Sequence, residues 1–289
     1  MSGLSRREFV VLAGATLAAG KLATAQQGKI TAGEVVDRVK NNLGIPWIET
    51  TRRDTFKVGG PTSPVTGIAT CFGTNLRVMQ LAVKAGLNMI VTHEPTFYSD
   101  YDVIDWVKDD PVYKMKLDFA TKNNMVVWRI HDDWHARKPD GIRTGWDNAM
   151  GWNDYRDKSQ AGSYNLPPTT LGELAKYVAK TLNTRSVRVM GDPNLRVAKV
   201  AHGGHQAEQN MAAIQLPGVD CILVSETKEY DSFEYVRDTL RTGVKKGAIF
   251  ISHVAGEDEG MRFFAEWSQP FLPEIPVKYI ATTDEYWTV

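Results

Sequence analysis

Two short apolar runs in this chain each end in a histidine with a carboxylate close behind. The run at 87–91 leads into Thr92-His93-Glu94-Pro95, and the run at 248–251 leads into Ser252-His253-Val254-Ala255-Gly256-Glu257. Apolar runs this short, bounded by turn residues, read as strands buried on both faces, which occur where helices cover a parallel sheet. A third run, 125–128, leads into Arg129-Ile130-His131-Asp132-Asp133-Trp134-His135. A sheet holds the side chains at its strand ends in fixed positions, so three deliveries of imidazole and carboxylate point to one shared metal site.

The segments between the runs have helical character. Thr31-Ala32-Gly33-Glu34 is a capping box ahead of Val35, Val36, Val39 and Leu43, which share one helical face. Strands are expected at 65–72, 87–91 and 125–130, with helices at 75–85 and 112–122, the β-α-β-α-β pattern of an open α/β sheet. Residues 151–168, rich in glycine and polar residues and closed by Pro167-Pro168, read as a linker. The rhythm then restarts at a second capping box, Thr170-Leu171-Gly172-Glu173. Strands follow at 186–190, 197–201, 221–224, 248–251 and 277–281, with helices at 206–214, 231–242 and 257–267. The expectation is two similar α/β lobes, 28–150 and 169–289, each a mixed sheet flanked by helices. Ligands collect beyond the carboxyl ends of such strands, which places the metal site in the cleft between the lobes.

The N-terminus reads as a targeting segment rather than part of the fold. Ser5-Arg6-Arg7-Glu8-Phe9 precedes an apolar stretch at 10–19 and then Ala23-Thr24-Ala25, a small-residue cleavage site. The paired arginines fit a twin-arginine signal over residues 1–25, and the apolar stretch is too short to span a bilayer. The expectation is a periplasmic or otherwise exported protein, free of the membrane once cleaved. That route carries proteins already folded, often around a cofactor, so a metal could be loaded before competing ions are met. Cys71 and Cys221 lie inside apolar strand-like runs and read as two buried thiols, although an oxidising compartment would permit pairing. Two cysteines exclude a cysteine-rich zinc site. A formal net charge of zero and the lack of a basic helix face give no reason to expect nucleic acid.

Taken in order, the motifs resemble those of the NIF3-like (DUF34) family of dinuclear metal-centre proteins. V-T-H-E-P at 91–95, H-D-D-W-H at 131–135 and S-H-V-A-G-E at 252–257 stand where the family shows I-T-H-H-P, H-T-N-x-D and G-H-x-x-T/S-E. L-P-P-T-T-L-G-E-L-A at 166–175, V-A-K-V-A-H-G-G-H at 197–205 and Ser225-Glu226-Thr227-Lys228 resemble the segments between, so the resemblance runs from about residue 28 to the end. It implies that His93, Glu94, His135, His253 and Glu257 hold two divalent ions, with Glu257 as the bridge. Two positions depart from the pattern: Glu94 replaces a histidine and His135 replaces an aspartate. The set of three histidines and two carboxylates is thereby kept, as in a compensated exchange at one site.

Around this set, His131, Asp133, His205 and Glu226 are expected in supporting positions. Asp132 and Asp133 are alternatives to His135, with turn capping as their other role. His202 and His205, in a glycine-rich turn, could touch substrate, and Trp134 could pack against it. Mixed imidazole and carboxylate donors suit zinc, manganese, iron or cobalt. Such a pair of ions suits a metal-dependent hydrolase that uses a water shared between them on a small substrate. The alternative is a non-enzymatic metal-handling protein, and the resemblance implies a hexameric ring in either case. Family members carry a GTP cyclohydrolase label, but no purine pocket is visible in the sequence, and GTP lacks an obvious supply outside the cytoplasm.

Overall fold

Thr31 caps the first helix, α1 (Ala32–Asn42), in both directions: its hydroxyl accepts from Glu34 N, and the Glu34 carboxylate takes the Thr31 N–H at 2.7 Å. This computed structural model describes residues 30–185, 187–204, 206–283, 285 and 287. The proposed signal at 1–25 and His205 lie outside the described residues.

The first lobe then runs through β1 (Phe56–Val58), β2 (Ile68–Gly73), α2 (Leu76–Lys84), β3 (Met89–Glu94), α3 (Pro111–Lys122) and β4 (Val126–Arg129). Asn75 and Asp110 cap α2 and α3 through backbone N–H groups, and Pro111 opens α3 where no N–H is needed. Next come α4 (Asp132–Ala136) and α5 (Gly141–Met150). The second lobe holds β5 (Ser163–Thr170), α6 (Leu171–Thr181), β6 (Arg188–Met190), β7 (Arg196–His202), α7 (Ala207–Gln215), β8 (Cys221–Val224), α8 (Glu234–Arg241) and β9 (Gly247–Phe250). The chain closes with α9 (His253–Ser268) and β10 (Val277–Tyr279).

The strands form two five-stranded sheets, β1-β4-β3-β2-β10 and β5-β7-β8-β9-β6. The inner pairs are parallel, while β1, β5 and β6 run antiparallel at the edges. The fold is the expected mixed α/β architecture with two sheets flanked by helices. Cys71 on β2 and Cys221 on β8 are fully buried free thiols in different sheets. Among the described residues no helix is long and apolar enough to cross a membrane.

Three differences from the sequence reading bear on the site. Residues 163–168 are not linker but most of β5, which takes Pro167-Pro168 because it is an edge strand whose register shifts between Asn165 and Thr169. The tail does not stay in the second lobe: β10 pairs in parallel with β2, and Met261, Phe264, Leu272 and Ile275 join the core of the first. Helix α9 starts at His253 rather than 257, because Ser252 caps it by accepting from Ala255 N at 3.1 Å. Gly256, which looks like a breaker, is required by close approach: a Cβ there would lie 2.2 Å from Ser225 Cβ.

Helices α5 and α9 cross at backbone contact. A Cβ on Gly145 would meet Glu259 O at 2.3 Å, and one on Gly260 would meet Ile142 Cα at 2.5 Å. This crossing fastens the returning helix α9 to α5, the last α-helix before β5. Trp134 is sealed beneath it, fully buried against Phe263, Phe264 and Trp267, so it packs the core and cannot touch a substrate.

Candidate metal centre

β3 ends in His93 and Glu94, and its parallel neighbour β4 ends in Arg129. Their register pairs Thr92 with Arg129, and the Ile130 carbonyl lies 3.1 Å from His93 Nδ1. A carbonyl oxygen only accepts, so Nδ1 carries the proton and Nε2 keeps its lone pair. Burial holds the fully buried His93 below the usual imidazole range, hence neutral. Its Nε2 lies 3.3 Å from Glu257 Oε2 but has no hydrogen-bond partner. An unsatisfied buried acceptor with its other nitrogen fixed is the state in which a histidine binds a cation.

His131 and His135 repeat this arrangement on α4. His131 Nδ1 donates to Asp132 Oδ1 at 3.0 Å and His135 Nδ1 to Asp140 Oδ2 at 2.9 Å. The three rings lie together, His93 stacked on His131 at 4.5 Å between centroids and His135 4.9 Å from each. Asp54 fixes the start of α4 by accepting the N–H groups of His131, Asp132 and Asp133 at 2.6, 3.1 and 2.8 Å.

The first turn of α9 supplies the other side. His253 and Glu257, four residues apart on one helical face, meet at 2.9 Å between Nε2 and Oε2. Glu257 thus stands between His93 and His253, and Glu94 Oε1 lies 3.5 Å from His131 Nε2 and 4.0 Å from His253 Nε2. Ligand atoms of His93, His131 and His135 all fall within 4.8 Å of one another, as do those of His93, Glu94 and Glu257. The donors open into a cleft of about 690 Å³, whose other walls come from α5, the end of β7 and the turn after β8. A larger hollow of about 1150 Å³ along β6 and α8 contains no histidine.

The chain matches the family described as Duf34/NIF3 (NGG1p interacting factor 3) over residues 30–284. It belongs to the Duf34/NIF3 family. A Clostridium acetobutylicum protein named GTP cyclohydrolase 1 type 2 homolog is 25% identical over 192 residues, 63% of this chain and 69% of that protein. Among solved structures, a Bacillus cereus protein related to NIF3 is similar at a TM-score of 0.70 and 13% identity, covering 90% of this chain and 99% of its own. Protein ybgI, of unknown function, gives 0.68 and 18% identity over 89% of this chain and 100% of its own. These structural likenesses carry the Duf34/NIF3 fold.

The expected residues of this Duf34/NIF3 chain are distributed as follows. Glu94, His135, His253 and Glu257 line the cleft, and His93 lies buried behind them, its Nε2 3.3 Å from Glu257 Oε2. His131, expected in a supporting place, stands in the donor cluster itself on the same footing as His135. Glu226 lies 3.6 Å from His253 Nε2 at the cleft wall. Asp133 turns away: it is buried, its Oδ1 accepts from Ile48 N at 3.0 Å, and burial pushes its carboxyl up to about 7. Asp132 does not cap the turn: it lines the cleft, orients His131 and pairs with Arg53 and Thr51. His202 lines the cleft with Nδ1 donating to Gly203 O at 2.6 Å.

Charge in the cleft answers the same need. Burial opposes ionisation of Glu257, yet the hydrogen bond with His253 outweighs it and helps hold the carboxyl well below its ordinary range. Burial likewise disfavours charge on His253, but Glu257, Glu94 and Glu226 together push it up to about 9. Positive charge is therefore called for where these carboxylates converge, and the donor set fits a divalent cation. Sequence reasoning missed Asp54, Asp140 and Arg129. Asp140 left a signal, since it occupies an N-cap position five residues after His135; Asp54 left none.

Proposed function

We propose that this Duf34/NIF3 protein is a metal-dependent hydrolase with a dinuclear centre of zinc, manganese, iron or cobalt. One observation carries the reading: His93, His131 and His135 each commit Nδ1 to an oxygen acceptor and turn Nε2 toward one cleft, beside Glu94 and Glu257 and facing His253. Two such ions would acidify a shared water and clamp the attacking and leaving oxygens of a substrate. The protein's share is orientation. The Ile130 carbonyl, Asp132 and Asp140 fix the rings, Glu257 would hold metal from the α9 side, and Arg129 holds one oxygen of Glu94 so that the other faces the cleft.

The name of the Clostridium relative suggests a purine substrate. The cleft offers a purine ring little apolar wall beyond Ile142 and Trp146, and Trp146 is only 1% exposed. A smaller polar substrate fits these walls better. The second reading, a metal-handling protein without turnover, draws on the acidity of the cleft, which would hold cations with or without a substrate. In either case we propose a protein that is periplasmic or otherwise exported after removal of residues 1–25, and a hexamer, as the family resemblance implies.

The test is metal analysis of the protein purified without added metal, followed by a screen of small esters, amides and phosphate esters. About two atoms per chain, as a dinuclear centre requires, with turnover lost in His253→Ala, supports the hydrolase. Two atoms without turnover supports the metal-handling reading. A metal content near zero, unchanged by His253→Ala, rejects the site.

A further inference from the structure

The cleft is lined by six carboxylates, Glu94, Asp100, Asp132, Asp140, Glu226 and Glu257, against two guanidinium groups, Arg53 and Arg143. The two arginines are not equivalent. Arg53 is committed: Nε and Nη2 donate to the two oxygens of Asp100 at 2.8 and 2.6 Å, and Nη1 donates to Asp132 at 3.1 Å. Arg143, in the first turn of α5, lies over the Trp146 ring and has one hydrogen-bond partner for its guanidinium among the described residues, the Tyr164 hydroxyl at 3.4 Å. No carboxylate lies within ion-pair distance of it among those residues, although its charge helps lower the neighbouring Asp140. Its charge nevertheless reaches His202, whose imidazole is pushed down to about 3, first by burial and then by Arg143.

An arginine that keeps open donors in so acidic a cleft is placed for negative charge that arrives from outside. The planar guanidinium fork matches oxyanions, phosphate and carboxylate alike. Phosphate is the better match here, because a pair of divalent ions clamps the oxygens of a transferring phosphoryl group and offsets the cleft's own negative charge. Gly203 and Gly204 line the same cleft with backbone in place of side chains, and Gln206 and Gln209 at the start of α7 follow them. We propose that Arg143 binds a phosphoryl group of the substrate, which makes the substrate class of this centre a phosphate ester. The proposal rests on the dinuclear hydrolase reading.

The experiment uses the full metal-loaded chain, as wild type, Arg143→Lys and Arg143→Gln. Each is titrated calorimetrically with phenyl phosphate and with benzoate, and metal atoms per chain are measured on the same samples. The expected result is phenyl phosphate binding weakened about tenfold or more in Arg143→Gln, as loss of a charge-assisted pair gives, and less in Arg143→Lys. Metal content should be unchanged in both variants. Equal affinity in wild type and Arg143→Gln overturns the proposal, and so does a loss of metal in Arg143→Gln, which would mark a structural role. Benzoate binding as tight as phenyl phosphate and as sensitive to Arg143→Gln overturns the phosphoryl assignment in favour of a carboxylate. Wild type that takes up no metal refutes the hydrolase reading and with it the substrate class: phosphate binding that persists and still needs Arg143 would keep only the phosphoryl contact of Arg143, and no binding ends both.

Discussion

Arg129 Nη2 lies 3.2 Å from Glu94 Oε2, with the guanidinium fully buried at the end of β4 and the carboxylate beside it at the end of β3. Nε of the same group donates to His93 O at 2.8 Å, so one side chain fixes the backbone of one candidate ligand and the carboxylate of the next. The pair offsets the negative charge that Glu94 brings in place of an imidazole. His135 shows the reverse: an imidazole where the resemblance expects a carboxylate, with Asp140 supplying the negative charge one bond further out. The exchange of donor types at these two positions is thus matched by two partners that the motifs do not contain.

Removing Arg129 should therefore be severe. Arg129→Met removes a fully buried guanidinium that pairs with the partly buried Glu94, and breaking a buried pair in this way costs up to about 3–5 kcal/mol. Urea unfolding of the metal-free protein should show a loss of that order, and metal loading should recover part of it by supplying positive charge. A midpoint within error of wild type would show that Arg129 does not hold Glu94.

Asp140→Asn keeps the shape of the α5 cap but replaces the carboxylate that orients His135. Loss of such an orienting partner lowers metal affinity by about 10–100-fold. Competition against a chromophoric chelator reads the change directly, and unchanged circular dichroism excludes unfolding. Affinity equal to wild type would remove His135 from the ligand set.

Gly145→Ala drives a methyl group into the Glu259 carbonyl at the crossing of α5 and α9. Overpacking of this kind costs about 1–3 kcal/mol, and here the atoms met are backbone, so relief requires α9 to move. Since α9 carries His253 and Glu257, thermal stability and metal affinity should fall together. A stability loss with metal affinity intact would mean that the crossing and the centre are independent.

Much of this was visible in the residues themselves. The strand at Cys221–Val224 was expected at those bounds, and β3 and β4 within a few residues, because buried parallel strands are apolar runs with little competing signal. The return of β10 to the first sheet was not, since a three-residue strand carries no mark of its neighbour. Asp54 escaped for a similar reason: it accepts from His131 N across 77 residues of sequence, and only the folded chain puts them side by side. Trp134 was misplaced because sequence adjacency to a site says nothing about direction on a helix. One residue before His135, it is turned about 100° from it round α4 and is buried in the core, while His131 stands at the N-cap, outside the helix.

Lys116 makes the last prediction, on pH. Its side chain is buried on α3 and its ammonium donates to Thr96 O beneath the loop that follows Glu94. Burial pushes the group down to about 8, whereas in the unfolded chain a lysine stays protonated to about 10.4. Between these values the unfolded state binds more protons than the folded one, so this group makes stability rise with pH across the window, and it disfavours the fold below pH 8. The contribution is bounded at about 3 kcal/mol by the size of the shift. Lys116→Met removes the titration, although it also leaves Thr96 O without its donor, so the sign of the difference at a single pH decides nothing. The difference between wild type and variant does: measured by urea unfolding from pH 7 to pH 10, wild type should gain on Lys116→Met as pH rises. Parallel curves would mean that the folded protein does not perturb this lysine.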